Sequence, residues 1–169
     1  MKIFKEEQRF TQTWFIALMA ISLIIPLILM INEFLKENSK FTTMGFLTTV
    51  SILVVSILPI FFFKLTTRID EYGIHYKFFP FHLSFKTIEW NSISNAFVRT
   101  YDPIGEYGGW GLKGGAFWNS SKGKAINVSG DLGIQLELKD GKKLLIGTHK
   151  KFEAENIILQ YKTKFLKDD

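Results

Sequence analysis

A chain of 169 residues has room for one ordinary domain and a small extra element, and its 47% hydrophobic share is concentrated before residue 64, which points to a membrane-attached protein rather than one uniform soluble core. The absence of cysteine excludes disulfides, metal thiolates and thiol catalysis. The net charge of +5 is dispersed, six Lys/Arg against four Asp/Glu in residues 1–64 and fifteen against twelve after them, so no basic element marks a nucleic-acid binder, and the excess fits a membrane-proximal bias.

Residues 1–13 are charged, with Lys2, Lys5 and Arg9 against Glu6 and Glu7. The apolar run that follows is longer than a signal-peptide core and lacks a small-x-small cleavage pattern, so it reads as a retained helix. Residues 14–31 and 41–63 carry no charge and no histidine over 18 and 23 positions, separated by nine polar-rich residues. Both exceed the roughly 18 that mark a span. They predict a transmembrane hairpin, helices at about 12–34 and 41–63, filling an N-terminal domain over 1–64. Trp14 and Phe15 suit interfacial depth, and Pro26 predicts a kink near Ser22. The second run ends on Pro59 and three phenylalanines, 61–63.

Gly45, Thr49, Ile52 and Ser56, spaced by four, three and four, form a narrow face of small or polar residues suited to helix–helix packing. That face serves either the hairpin itself or a second membrane helix from another copy or protein. Three Lys/Arg precede the first helix and Lys64 and Arg68 follow the second, against Lys36 and Lys40 in the connecting loop. The bias places both termini and the β domain on the cytoplasmic side of an inner membrane. With no ionisable group inside either run, the hairpin reads as an anchor rather than an ion path.

From residue 65 the apolar period becomes two. Strands are expected at 66–70 and 74–78 around a turn at 71–73, at 83–89 after Pro80, and at 96–100. An irregular stretch over 101–124 holds seven glycines. Further strands follow at 125–128, 134–138 and 142–146, the last two joined by Lys139-Asp140-Gly141, a strong hairpin signal. Phe152, Ile157, Ile158, Tyr161 and Phe165 recur at helical spacing over about 149–165, with Thr148 as the cap. The domain over 65–169 is therefore expected to be mainly β: an antiparallel β-barrel or sandwich of about seven strands, closed by a C-terminal amphipathic helix that covers one open end or edge.

Glycines 109, 111 and 114 match the dinucleotide-binding pattern, but loop precedes them and strand follows, and no Gly-Lys-Ser/Thr occurs, so no nucleotide and no cofactor is expected. His75, His82 and His149 lack metal-ligand spacing. Asp102 and Glu106 have no apolar setting that would raise their pKa for acid chemistry, and Asp102 before Pro103 suits a turn. Without a nucleophile and base pair the chain reads as non-enzymatic. The candidate binding surface is the glycine-hinged segment carrying Tyr101, Asp102, Tyr107, Gly108, Gly109, Trp110 and Lys113. Its large amphipathic rings suit a protein partner or a lipid interface. The alternative is that the rings tuck onto the sheet as a local plug. Expected partners are the lipid bilayer and a protein partner or second copy of the chain.

The succession of strands after Arg68 ending in one amphipathic helix resembles bacterial pleckstrin-homology-like domains. More narrowly, Phe78-Phe79-Pro80-Phe81-His82, Tyr101-Asp102-Pro103-Ile104, Glu106-Tyr107-Gly108-Gly109-Trp110-Gly111 and Leu145-Ile146-Gly147-Thr148 look like the markers of an uncharacterised family of small bacterial membrane proteins with two transmembrane helices and such a domain. That family resemblance implies fold and topology without an activity. It leads one to expect an arginine where Lys113 stands, and 114–122 looks like an extra loop. Pleckstrin-homology domains that bind inositol phosphates use cations around the first hairpin. Here that turn reads Asp70-Glu71-Tyr72-Gly73, which implies an interaction or scaffold module without phosphoinositide specificity.

Overall fold

The computed structural model describes residues 3–37, 39, 41–114 and 122–165. Lys40 and the greater part of the loop expected at 114–122 lie outside them. The chain divides into two compact units: Phe10–Phe62 forms one, and the segments on either side of it together form the other.

The first unit is a helical pair. Helix α1 spans Thr13–Phe34 and runs unbroken through Pro26. Helix α2 spans Thr43–Ile57 and tightens into a 3₁₀ turn over Leu58–Phe62. The α2 start is set by Thr42, whose hydroxyl accepts from the Gly45 amide. Spans of 22 and 20 residues are long and apolar enough to cross a bilayer, since a helix of 22 residues reaches about 33 Å and the hydrocarbon core measures about 30 Å. Phe34 stacks on Phe46 at 4.5 Å between ring centroids. The half-buried residues of α2 are Phe46, Val50, Leu53, Val54 and Ile57 together with Gly45, whereas Thr49, Ile52 and Ser56 are exposed. The hairpin is thus packed by the larger aliphatic side chains, and three of the four residues expected at the helix–helix contact face outward. Their hydroxyls need no partner from elsewhere, because Thr49 donates to the Gly45 carbonyl and Ser56 to that of Ile52.

The second unit contains two open sheets and two helices. Strands β1 (Phe4–Arg9), β2 (Lys64–Ile69), β3 (Gly73–Phe79) and β4 (Lys86–Glu89) form an antiparallel sheet in the order β1-β2-β3-β4. Strands β5 (Ile93–Thr100), β6 (Gly111–Gly114), β7 (Lys124–Asn127), β8 (Leu132–Leu138) and β9 (Lys143–Gly147) form the other, ordered β5-β8-β9-β7-β6. A short helix α3 (Pro103–Tyr107) follows β5, and α4 (Lys151–Phe165) closes the chain.

Three expectations are corrected here. The domain boundary at residue 64 is wrong for the N-terminus, because Phe4–Arg9 pairs along its length with β2. This strand is hard to read locally: Phe4, Glu6 and Gln8 are its buried positions, so two of the three inward side chains are polar and the alternation of hydropathy is masked. The sheets are not wholly antiparallel, since β7 runs parallel to β9; the long excursion between them carries β8, which returns β9 beside β7. The barrel or sandwich of about seven strands is, among the described residues, nine strands in two open sheets.

Leu65, Ile69, Ile74 and Phe78 from one sheet and Ile93, Ile134, Leu136, Leu145 and Ile146 from the other are buried. Helix α4 adds Ala154, Ile157, Ile158 and Tyr161 to this core, the last stacked on Trp90 at 5.5 Å. Phe152 departs from the expected apolar face and is 77% exposed. Thr148 does act at the helix start: its hydroxyl accepts from the Lys150 amide and donates to Glu6, which also accepts from the His149 amide at 2.7 Å. The buried carboxylate of β1 therefore supports the positive end of α4.

Candidate functional site

The segment singled out in the sequence leaves β5 as an arm that folds back on itself. Asp102 caps α3, its carboxylate accepting from the Ile104 amide at 3.0 Å, and Pro103 fills the first helical position, where a missing amide proton costs nothing. Gly108 ends the helix in the left-handed conformation, φ 71°, with Gly108 N–H donating to Ile104 and Gly109 N–H to Pro103. Only glycine takes that conformation without strain. A side chain at Gly105 would meet the Asp102 carboxylate at 2.4 Å, so any larger residue there would displace the cap.

The arm is pinned by charge. Arg99 on β5 holds Glu106 through two parallel bonds of 3.0 and 2.8 Å, and its Nε donates to Gln135 on β8. Glu106 also accepts from the Asp102 amide. The Arg99 bonds hold the Glu106 carboxyl down at about 2, and Glu106 in turn raises the guanidinium pKa. Glu106 is therefore an ionised strut, unsuited to donating a proton at neutral pH.

The rings go inward. Tyr101 and Tyr107 are buried with Ala125 and Leu145, edge to face at 5.9 Å. Burial pushes the Tyr101 hydroxyl up to about 12, and raises that of Tyr107 as well. Asn127 donates to the Tyr101 hydroxyl and accepts from the Gly111 amide, tying the arm to β7. Trp110 is half-buried and its indole donates to the Gly130 carbonyl at 2.9 Å. Lys113, on β6, is half-buried, while Asp102 and Gly108 are exposed. The local-plug alternative thus describes Tyr101 and Tyr107. The outward side of the arm offers Ile104 and Leu112, 64% and 41% exposed, and part of Trp110. The sequence reading missed Arg99 and Asn127, which stand in no motif, and Ile104, which closes the Tyr101-Asp102-Pro103-Ile104 marker without being singled out; only the fold brings Arg99 to Glu106 and Asn127 to Tyr101.

The histidines are tied locally. His75 joins Asp70 through Nε2 at 2.9 Å and Thr87 through Nδ1 at 2.8 Å, linking β3 and β4 to the end of β2. Asp70 is buried and also meets Arg68 at 2.9 Å. Burial opposes its ionisation, but the bonds from His75 and the Tyr72 amide and the Arg68 charge outweigh it, so its pKa lies below the usual range. Asp70 is therefore ionised, and the Arg68 guanidinium beside it offsets its charge, while Glu71 stays in the turn. His149 bonds Ser129 at 2.6 Å. Among the described residues no group of His, Asp and Glu is arranged to hold a metal ion.

Compared with protein-family models and with curated proteins, the chain matches none.

Proposed function

We propose that this chain is a non-enzymatic integral membrane protein that presents a pleckstrin-homology-like interaction or scaffold domain at the cytoplasmic membrane face, meeting a protein partner or a second copy through the outward side of the 101–113 arm. The carrying observation is the division of labour within the arm. Its carboxylates and tyrosine hydroxyls are spent on pinning the arm, through Arg99–Glu106, the Asp102 cap, Asn127–Tyr101 and the Tyr107 hydroxyl on the Lys122 carbonyl. Of its exposed side chains Asp102 is engaged in the cap, which leaves Ile104 and Leu112, both apolar. A pre-organised apolar surface loses little conformational entropy on docking. Two sheets followed by a closing helix support the domain assignment, and the Lys/Arg asymmetry of the helix ends supports the orientation.

The test is affinity purification of tagged full-length protein from its own membranes in mild detergent, comparing wild type with Ile104→Ser. Ile104 makes a better probe than Trp110, whose loss would also remove the bond to Gly130. A companion protein lost in the variant supports the reading. The same companions in both refute it.

A second reading, an accessory subunit of a larger membrane complex such as a transporter, is favoured by the outward turn of Thr49, Ile52 and Ser56 on α2. A photo-crosslinker at Ser56 would trap the neighbouring subunit; recovery of uncrosslinked chain alone counts against it.

A further inference from the structure

The β3–β4 connection exposes four large apolar side chains within seven residues: Phe79 at 36%, Phe81 at 58%, Leu83 at 78% and Phe85 at 46%. Single exposed apolar residues are ordinary; a run of this density at one end of a sheet calls for an occupant.

Strand register fixes which end. Arg9 stands opposite Lys64, and Lys64 opposite Phe79, so these three residues form the last rung of the sheet, and the connection leaves from it. The chain also runs from this rung into both apolar helices. Three residues separate Arg9 from the start of α1 at Thr13, and only Phe63 separates Lys64 from the 3₁₀ turn that ends the second span at Phe62. At no more than about 3.5 Å per residue, the rung is tethered within about 14 Å of each helix end. Phe63 also packs on Phe81 at 5.5 Å and on Phe78 at 5.8 Å, tying the connection to the residue next to the span.

We propose that the 79–85 connection is a lipid-interfacial wedge: Phe81, Leu83 and Phe85 enter the bilayer that the chain's own helices span, and the flanking cations engage anionic headgroups. The charge arrangement matches that occupant. Arg9 and Lys64 stand on the rung itself, and Lys77 and Lys86 lie within two residues of the ends of the 79–85 run; Glu7 pairs with both Arg9 and Lys64, so four cations against one carboxylate leave this end positive, as expected of a surface seated on anionic lipid. His82, within the wedge, has its pKa lowered by burial and by Lys86, and its Nδ1 accepts from the Phe78 amide, so it brings no charge at neutral pH. The opposite end of the β2–β3 hairpin carries Asp70 and Glu71 and faces away from lipid in this arrangement.

The inference rests on the membrane reading of α1 and α2, and the experiment separates the two. The natural chain has no cysteine, so single cysteines take a nitroxide label without background. Full-length Leu83→Cys, Phe85→Cys, Tyr72→Cys and Leu47→Cys proteins are reconstituted into vesicles of phosphatidylcholine and phosphatidylglycerol, and each label's accessibility to oxygen and to a water-soluble nickel chelate is measured. Leu83, Tyr72 and Leu47 are at least half exposed, so the labels are tolerated. The wedge requires labels at 83 and 85 to favour oxygen over nickel, approaching the Leu47 label in the span, with the Tyr72 label favouring nickel. Labels at 83 and 85 as water-accessible as Tyr72 overturn the wedge while leaving the span intact. Dipolar broadening at 83 with no gain in oxygen access overturns it in favour of a second copy of the chain. A water-accessible Leu47 label overturns the membrane reading and the wedge with it.

Discussion

Replacing residues 10–63 by an Asn-Gly dipeptide should leave a domain that folds, whereas residues 64–169 without β1 should not. Arg9 and Lys64 are direct cross-strand partners, so a two-residue turn of the kind that suits the strand twist can close β1 onto β2. The missing strand removes Phe4, which is 4% exposed, at a cost of about 3 kcal/mol or more on the scale of buried Phe truncations. It also removes the Glu6 carboxylate from the Thr148 hydroxyl and the His149 amide. Each of those charge-assisted bonds contributes about 1.5–3 kcal/mol. Together the losses reach about 6 kcal/mol, comparable with the whole stability of about 5–15 kcal/mol of an ordinary domain. Circular dichroism melting of both proteins, with dilute non-ionic detergent to shield the 79–85 connection, checks this. The joined chain should melt cooperatively and the fragment should show no such transition. A fragment that melts cooperatively within a few degrees of the joined chain would refute the reasoning and return β1 to the status of a linker.

Glu106→Gln should destabilise the domain by about 1–2 kcal/mol at neutral pH, a figure discounted for partial solvent screening, as read by thermal or denaturant unfolding. Because the folded-state pKa of Glu106 lies near 2, below its ordinary 4.5, its contribution is present in full above pH 4.5 and is lost as the pH falls toward 2; wild type and variant should converge over that window. Gly108→Val should cost about 1–3 kcal/mol, because a β-branched residue would occupy the left-handed conformation, and Gly108→Asn should recover part of that in the same melt. Gly133→Ala should cost about 1–3 kcal/mol by overpacking, since the added carbon would meet Leu145 side-chain atoms at 2.6 and 2.8 Å. Ile104→Ser should shift the melting temperature by less than any of these, as expected for an exposed side chain.

How legible each element was follows from the range of the interactions that make it. The two spans are set by uninterrupted local hydropathy, and α2 ends where its cap and its proline put it, so the sequence by itself determined them. The hairpin turns at Asp70–Gly73 and Asp140–Gly141 are likewise local, and α4 carries its own amphipathic period. Strand β1 was illegible because its inward positions are Glu6 and Gln8, and their partners, Thr148 and Gly147, lie 142 and 139 residues away. The composition of the 101–113 arm signalled turns and rings correctly, but which way the rings point depends on whether β7 and β9 leave a recess for them, and on Arg99 and Asn127 reaching the arm from other strands. The anchoring of the arm, the outward turn of Thr49, Ile52 and Ser56, the parallel β7–β9 pair and the exposure of Phe79, Phe81, Leu83 and Phe85 were decided by tertiary structure alone. Burial and register couple residues far apart in the chain, and a one-residue change of register would turn every side chain of a strand to the other face.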